Sequence, residues 1–511
     1  MVRVRLVLAL LPLALAAARN TRATTVVVPD DYASVSAALS AAASGDSIFV
    51  RAGVYNVSTS LIGKDVVLFG EADGTVLSGS SSFRILKVGA GVTAATVFER
   101  LIFRDGLAPN GAAISVHDGG AITVRRCRFL NNKTSITTGT TYGGAVDIDA
   151  GSSAAFDSCS FVNDVATSGD FETCLGGAVH VAGTASMTAT LCRFEGCVAS
   201  GFEGGIGGAV AVEQYGEADV RDCAFRRNTA GYGGALSASS TLTVERCLFA
   251  NNSGSYGPSA LLAGDGVATM AIADNVFVDN DAVAAAAVYV KGPGSLSGNT
   301  IAFNGYSSGT DGLFFSGSLS VDRNIVSNNG GNGVTYANPT PSFGCNDVWS
   351  NGVANYNGPS GDLTGTDNNI SLDPQFCDPA LRVLRLIPGS PCAPAPPCGQ
   401  IGALGVGCTL NVYPPVAEIT GVRLLPPCPH PAHLPVRLVF ELPRAATVRL
   451  EVFDVLGRRI ATLENRDYSA GHWESAWDGR SLSGALAGSG VYVAVLTAGA
   501  TREVQRFVLT R

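Results

Sequence analysis

The chain has 511 residues, of which 15% are charged and 46% hydrophobic, and it carries a net charge of −8. So much apolar material with so little charge excludes a disordered chain, and the acidic balance leaves no basic footprint for nucleic acid. The 62 glycines suit a fold with many turns, because glycine enters turn conformations at little steric cost.

The N-terminus carries Arg3 and Arg5, an apolar run from Leu6 to Leu15, and then Ala16-Ala17-Ala18. That order predicts a signal peptide over residues 1–18, and the run is too short for a membrane anchor. No later apolar stretch reaches the roughly 18 residues of a spanning helix, so the mature chain is expected to have no transmembrane helix. Val26-Val27-Val28 then predicts a strand. Asp30-Asp31-Tyr32 is expected to cap a short helix whose Val35, Ala38, Leu39 and Ala42 fall at helical spacing. Gly45-Asp46 ends it, and Ser47-Ile48-Phe49-Val50 returns to strand.

Two phrases then recur. Gly143-Gly144-Ala145-Val146 returns at Gly176, Gly207 and Gly233. A Cys or Asn, one variable residue and usually Phe recurs from Cys127-Arg128-Phe129 through Cys159, Cys192, Cys223, Cys247 and Asn275, then more loosely at Asn299, Asn324 and Asn346. Their spacings are 32, 33, 31, 24, 28, 24, 25 and 22 residues. Repetition at such a period predicts stacked units. Within each unit, alternating runs such as Ile122-Thr123-Val124-Arg125 predict strands with one buried face, and no helix of three turns fits between them.

A strand-only coil stacked on copies of itself is a parallel β-helix. These repeats resemble the right-handed, pectate-lyase-like β-helix family. The Gly-Gly-Ala and Cys-x-Phe pairing is also similar to polymorphic outer-membrane and autotransporter repeats. The resemblance covers residues 26–408 and implies an all-β, right-handed parallel β-helix with an N-terminal cap. Coils about 4.8 Å apart would make a rod of about 60 Å from a dozen turns. Val124, Phe156, Val220, Val244 and Ile272 are expected to form one inward column, and Phe129, Phe161, Phe194, Phe225, Phe249 and Phe277 another. The Cys/Asn position forms a third, with its thiols reduced, although bridged ladder cysteines are the alternative. Cys174 and Cys197, in long loops of successive coils, are expected to form a disulfide. No Cys-x-x-Cys pair or histidine cluster supports zinc.

The stretch Asp367–Phe376, continuing to Ile401-Gly402-Ala403, resembles the closing segment of bacterial β-helices and predicts a final coil and cap. Residues 409–430 are a Pro-rich linker, and residues 431–511 predict a small β-sandwich. Phe453-Asp454-Val455-Leu456-Gly457-Arg458, Ala470-Gly471-His472, Trp477-Asp478-Gly479 and Gly488–Tyr492 resemble the Ig-like domain of the flagellar hook-assembly protein and type IX secretion sorting domains. That resemblance implies export or surface attachment through bacterial secretion machinery, with Trp477 in the core.

The catalytic sets of β-helix lyases and glycosidases are not assembled in this sequence. Outward positions after the Gly-Gly-Ala phrase supply Asp147, Asp149, His180 and Glu213 as candidate acids and bases, set against the plainer reading of a solvated face. Asp147 and His180 are expected to be stacked neighbours. Further along, Leu262, Tyr289 and Phe315 are expected outward, with Tyr289 and Phe315 as a candidate sugar platform; a covering loop is the alternative. His117 is expected to be solvated. The loops 131–142, 163–175 and 196–206 should cluster on one flank, where binding commonly resides.

The functional expectation is a secreted or cell-surface protein without catalysis: an adhesin, glycan-binding or structural element that takes a polysaccharide or cell-surface glycan. The other reading is a polysaccharide lyase or glycoside hydrolase acting on an acidic polysaccharide. No cofactor or metal is expected, apart from calcium if the chain is a lyase.

Overall fold

The computed structural model describes residues 23–71, 74–136, 139–169, 172–201, 204–264, 269–283, 285–305, 309–338, 342–408, 421–424, 432, 434–468, 471–481 and 484–510. The expected signal peptide and nearly all of the expected linker lie outside them. The described chain winds into a parallel β-helix. Thirteen parallel strands from Thr25–Val28 to Ser342–Gly344 make the first sheet. Twelve from Gly53–Asn56 to Asp347–Trp349 make the second, and twelve from Thr59–Leu61 to Tyr356–Asn357 make the third. A fourth sheet of seven short strands, Leu107–Ala108 to Asp281–Ala282, falls between the second and third in each coil it belongs to. No described helix is long and apolar enough to cross a membrane.

Identical positions stack. Val124, Phe156, Ala189, Val220, Val244 and Ile272 are paired coil to coil in the first sheet. In the second, the rings from Phe129 to Phe277 lie 4.5 to 4.8 Å apart and nearly parallel, and Phe103 extends the stack by one ring. Stacked strands repeat at this distance, so register alone brings the rings together. All six phenylalanines are fully buried.

Single left-handed residues make the corners. Arg246 (φ 51°) precedes Cys247, and Asn251 (φ 57°) precedes Asn252. After most corners, one side chain reaches back to a backbone carbonyl of the preceding coil. Asn275 Nδ2 donates to Val244 O and to Asn299 Oδ1, and Asn299 repeats this with Ile272 O and Asn324 Oδ1. The column runs from Cys127 to Asn346 as expected and continues to Asn369. Its cysteines are buried and unbridged, and burial pushes the Cys127 thiol up to about 12.

A second column stands five residues further along every coil: Asn132, Asp164, Cys197, Asn228, Asn252, Asn280, Asn304, Asn329 and Asn351. This column corrects the expected Cys174–Cys197 bridge. Cys197 belongs to the core, with its Sγ directed at Phe161 O, whereas Cys174 packs with Ala166, Ala199 and Ala230. Neither is part of a disulfide. The Gly-Gly-Ala phrase also has a packing reason. A Cβ on Gly177 would sit 2.0 Å from Gly208 O, and one on Gly144 equally close to Gly177 O.

The short helix is Val35–Ala41, and its N-cap is Ser34, whose Oγ accepts from Ala37 N. Asp30 and Asp31 do not cap it: Asp31 accepts from Val27 N, and Asp30 pairs with Arg51. The closing segment also differs from expectation. After the corner at Asn369, Phe376–Asp378 and Val383–Leu386 form an antiparallel hairpin that lies along the outside of the second sheet. Phe376, Leu384, Leu386, Ile401 and Leu404 pack there on Leu248, Val276, Val278 and Ile325. Disulfides Cys345–Cys398 and Cys377–Cys408 tie the segment down, as does the Arg382–Asp279 ion pair.

The C-terminal residues form two antiparallel sheets of three and four strands around one core. Trp477 is buried in that core, and its indole donates to Arg480 O. Strand Gly471–Trp477 pairs antiparallel with Val436–Leu442 in the three-stranded sheet. Ala470, part of the sequence signature, lies outside the described residues.

Candidate functional groove on the third sheet

Strands of the third sheet are three residues long where the repeats are most regular: Val146–Ile148, Val179–Val181, Val210–Val212 and Leu236–Ala238. The middle residue of each points outward. Asp147, His180, Ala211, Ser237, Leu262 and Tyr289 are thereby stacked in one column. The residue just after each strand starts a second column, where Asp149, Ala182, Glu213, Ser239 and Gly264 each donate a backbone N–H to the preceding coil.

Asp147 and His180 are neighbours as expected, but not on a solvated face. They are 4% and 2% exposed. The long loops fold over them. Asn110, Tyr142, Leu175, Ile206 and Tyr232 pair in succession into a narrow wall of strand bridges. Tyr142 lies over His180, with ring centroids 4.7 Å apart. Beneath that cover, Arg84 holds Asn110, Asn110 Nδ2 donates to Asp147 Oδ2 at 2.9 Å, and His180 Nδ1 donates to Asp147 Oδ1 at 2.7 Å. His180 Nε2 lies 3.5 Å from Glu213 Oε1, an ion-pair distance. Burial pulls the imidazole down, but the hydrogen bond to Asp147 and the nearby Glu213 carboxylate outweigh it and the net shift is upward. In return, the proximity of His180 lowers Glu213.

Glu213, at 40% side-chain exposure, is the member of this relay that reaches solvent. It opens into a groove of about 710 Å³ between the third sheet and the wall, lined by Leu175, Ile206, Gln214, Tyr215 and Ser237. Beyond Ser239 a second hollow of about 470 Å³ continues over Leu262 and Tyr289 toward Lys291, flanked by Tyr232 and Tyr256. The two hollows share Ser239 and so follow one face of the rod.

The aromatic platform is shifted by one residue. Tyr289 stacks on Phe314 at 4.4 Å, and both are half-buried on the outer face. Phe315 pairs with Val290, points inward and is fully buried, because a one-residue step along a strand exchanges faces. His117 is also not solvated: its side chain is 13% exposed, and Nδ1 lies 2.6 Å from Asp118. Asp149 is exposed. Among the described residues, no three His, Cys, Asp or Glu side chains gather as a metal site.

Fold and groove together define a parallel β-helix that carries a walled furrow on one outer face. Residues 112–301 and, in an overlapping match, 166–348 fit the family described as the right handed beta helix region, which supplies the hand of the coil. No curated protein matches the chain. Among solved structures, a pectin methylesterase mutant in complex with a hexasaccharide is 10% identical, covering 68% of this chain and 92% of its own, at a TM-score of 0.22. The A-module of a mannuronan C-5 epimerase from Azotobacter vinelandii is 13% identical, covering 66% and 94%, also at 0.22.

Proposed function

We propose that this is an exported β-helix protein whose outer groove holds a polysaccharide chain without breaking it, in an adhesive, glycan-binding or structural role. The observation that carries this is the open furrow with Tyr232 and Tyr256 on its flank and the Tyr289–Phe314 stack on its floor. Aromatic rings with one face open stack against the apolar faces of sugars, and their hydroxyls find polar partners at the edge. An open groove admits an internal stretch of a long chain, where a closed pocket would admit only an end.

Export is supported by the predicted signal peptide and by two disulfides, which persist in oxidising compartments. The C-terminal sheets, with the signature around Asp454, Trp477 and Tyr492, support an Ig-like, sorting-type module recognised by secretion machinery. A glycan array with the full chain, run beside reducing-end and unsaturated-product assays, tests the proposal. Binding without product is expected; product formation would overturn it.

One observation favours catalysis as a second reading. Glu213 is backed by His180 and Asp147, and Asp149 stands two coils away in the same column, about 9.6 Å along the rod. That is at the far edge of the carboxylate separation used for inverting hydrolysis. Asp147 itself is sealed under Tyr142 and cannot touch a substrate. Turnover lost in Glu213→Gln would establish this reading.

A further inference from the structure

The groove also carries information about the charge of its ligand. Among the described residues that line the two hollows, one is an anion, Glu213, and one is a cation, Lys291. They sit three coils apart, at opposite ends, about 14 Å along the rod. Between them the floor offers Ser237, Ser239, Leu262 and Tyr289, and the flank offers Tyr232 and Tyr256. These are hydroxyls, apolar surface and aromatic faces. Just behind Glu213, His180 is held between two carboxylates, so this end of the furrow contributes no net positive field.

A polyuronate carries one carboxylate on every sugar. Laid in this furrow it would place about three anions on a surface with one cation, and the first would meet Glu213. Like unit charges this close repel even at the effective dielectric of a protein surface. Desolvating those carboxylates without partners adds a further cost. A neutral glycan meets neither cost, and its hydroxyls match the serine and tyrosine oxygens.

We infer that the ligand of this groove is a neutral polysaccharide, bound by stacking and hydroxyl contacts along about three sugars between Glu213 and Lys291. The inference rests on the glycan-binding reading and narrows it. It also separates this groove from the acidic substrates expected of a lyase.

The test is affinity electrophoresis of the full chain in gels containing mixed-linkage β-glucan, xyloglucan or galactomannan, against gels with polygalacturonate or alginate. Retardation is expected in at least one neutral gel. It should be insensitive to added salt, because no ion pair carries it. Tyr256→Ala, at a side chain 61% exposed and with its melting profile checked against the parent, should weaken it about five- to tenfold. Tyr289→Ala, with an unchanged melting profile as control, should do the same. Equal or stronger retardation by a polyuronate would overturn the neutral-ligand inference and leave glycan binding standing. Retardation in no gel would overturn both.

Discussion

Replacing Asp164 with asparagine is expected to stabilise the solenoid at neutral pH and to change little in acid. Asp164 is fully buried in the second amide column. Its Oδ1 accepts from Asn132 N at 2.8 Å and from Asn132 Nδ2 at 2.9 Å, while Oδ2 is buried without a hydrogen-bond partner. Burial pushes the carboxyl up to about 8, against the opposing pull of those Asn132 hydrogen bonds. In the unfolded chain the same group titrates near 3.9. Between these values the folded state holds a proton that the unfolded state has released, so stability falls as pH rises. The loss begins near pH 3.9, runs at about 1.4 kcal/mol per unit, and is complete near pH 8. At pH 7 roughly three units have accumulated, or about 4 kcal/mol.

Asparagine removes the titration and restores an amide donor of the kind that Asn228 directs at Phe194 O and Asn252 at Phe225 O. Denaturant titrations of parent and variant at about pH 4.5 and pH 7 measure the difference. The two proteins should be within about 1 kcal/mol in acid and several kcal/mol apart at neutrality. A gap that stays constant between the two pH values, or a variant no more stable than the parent at pH 7, refutes the reasoning.

Three further outcomes follow from the same geometry. Gly177→Ala should abolish soluble, strand-rich protein as judged by circular dichroism, because its Cβ would meet Gly208 O at 2.0 Å and neither backbone can retreat. Asn299→Ala should cost about 3 kcal/mol in denaturant titrations, since it strands Asn275 N and the Ile272 carbonyl in the core and leaves Asn275 Nδ2 with only its bond to Val244 O; a cost under about 1 kcal/mol counts against the column as a stabilising device. His180 has its folded pKa raised above the usual ~6.5, so its contribution is fully present below that value and lost as pH rises through the folded one. In the Asp164→Asn background, the melting temperature should therefore still decline on the alkaline side. His180→Gln, which leaves Asp147, Glu213 and Tyr142 facing a neutral amide, should flatten that decline.

The parts of the fold legible in the sequence are those where one residue type is forced by stacking. The spacing of Cys-x-Phe gave the period, and the period gave the register of Phe129 through Phe277. The second column is equally available, because an Asn, Asp or Cys stands five residues after each Cys or Asn of the first from Cys127 to Asn346. It was hidden because pairs such as Asn131-Asn132 and Asn251-Asn252 also read as ordinary turn residues. The first member of each pair is indeed the left-handed corner, while the second is core. Phe315 was misplaced for a related reason. The Gly-Gly-Ala phrase ends at Gly233, so nothing fixes the phase of the Phe314-Phe315 doublet. The burial of Asp147 and His180 depends on loops crossing back over a sheet, and a contact between residues as distant as Asn110 and Asp147 leaves no local pattern.

Floor and wall of the furrow are built by the same repeat, one residue of each per turn. Duplicating a turn would therefore lengthen the furrow by about 4.8 Å, close to one sugar, without disturbing any corner. On the proposed glycan-binding reading, an in-frame duplication or deletion of a single repeat would reset the length of chain the furrow holds.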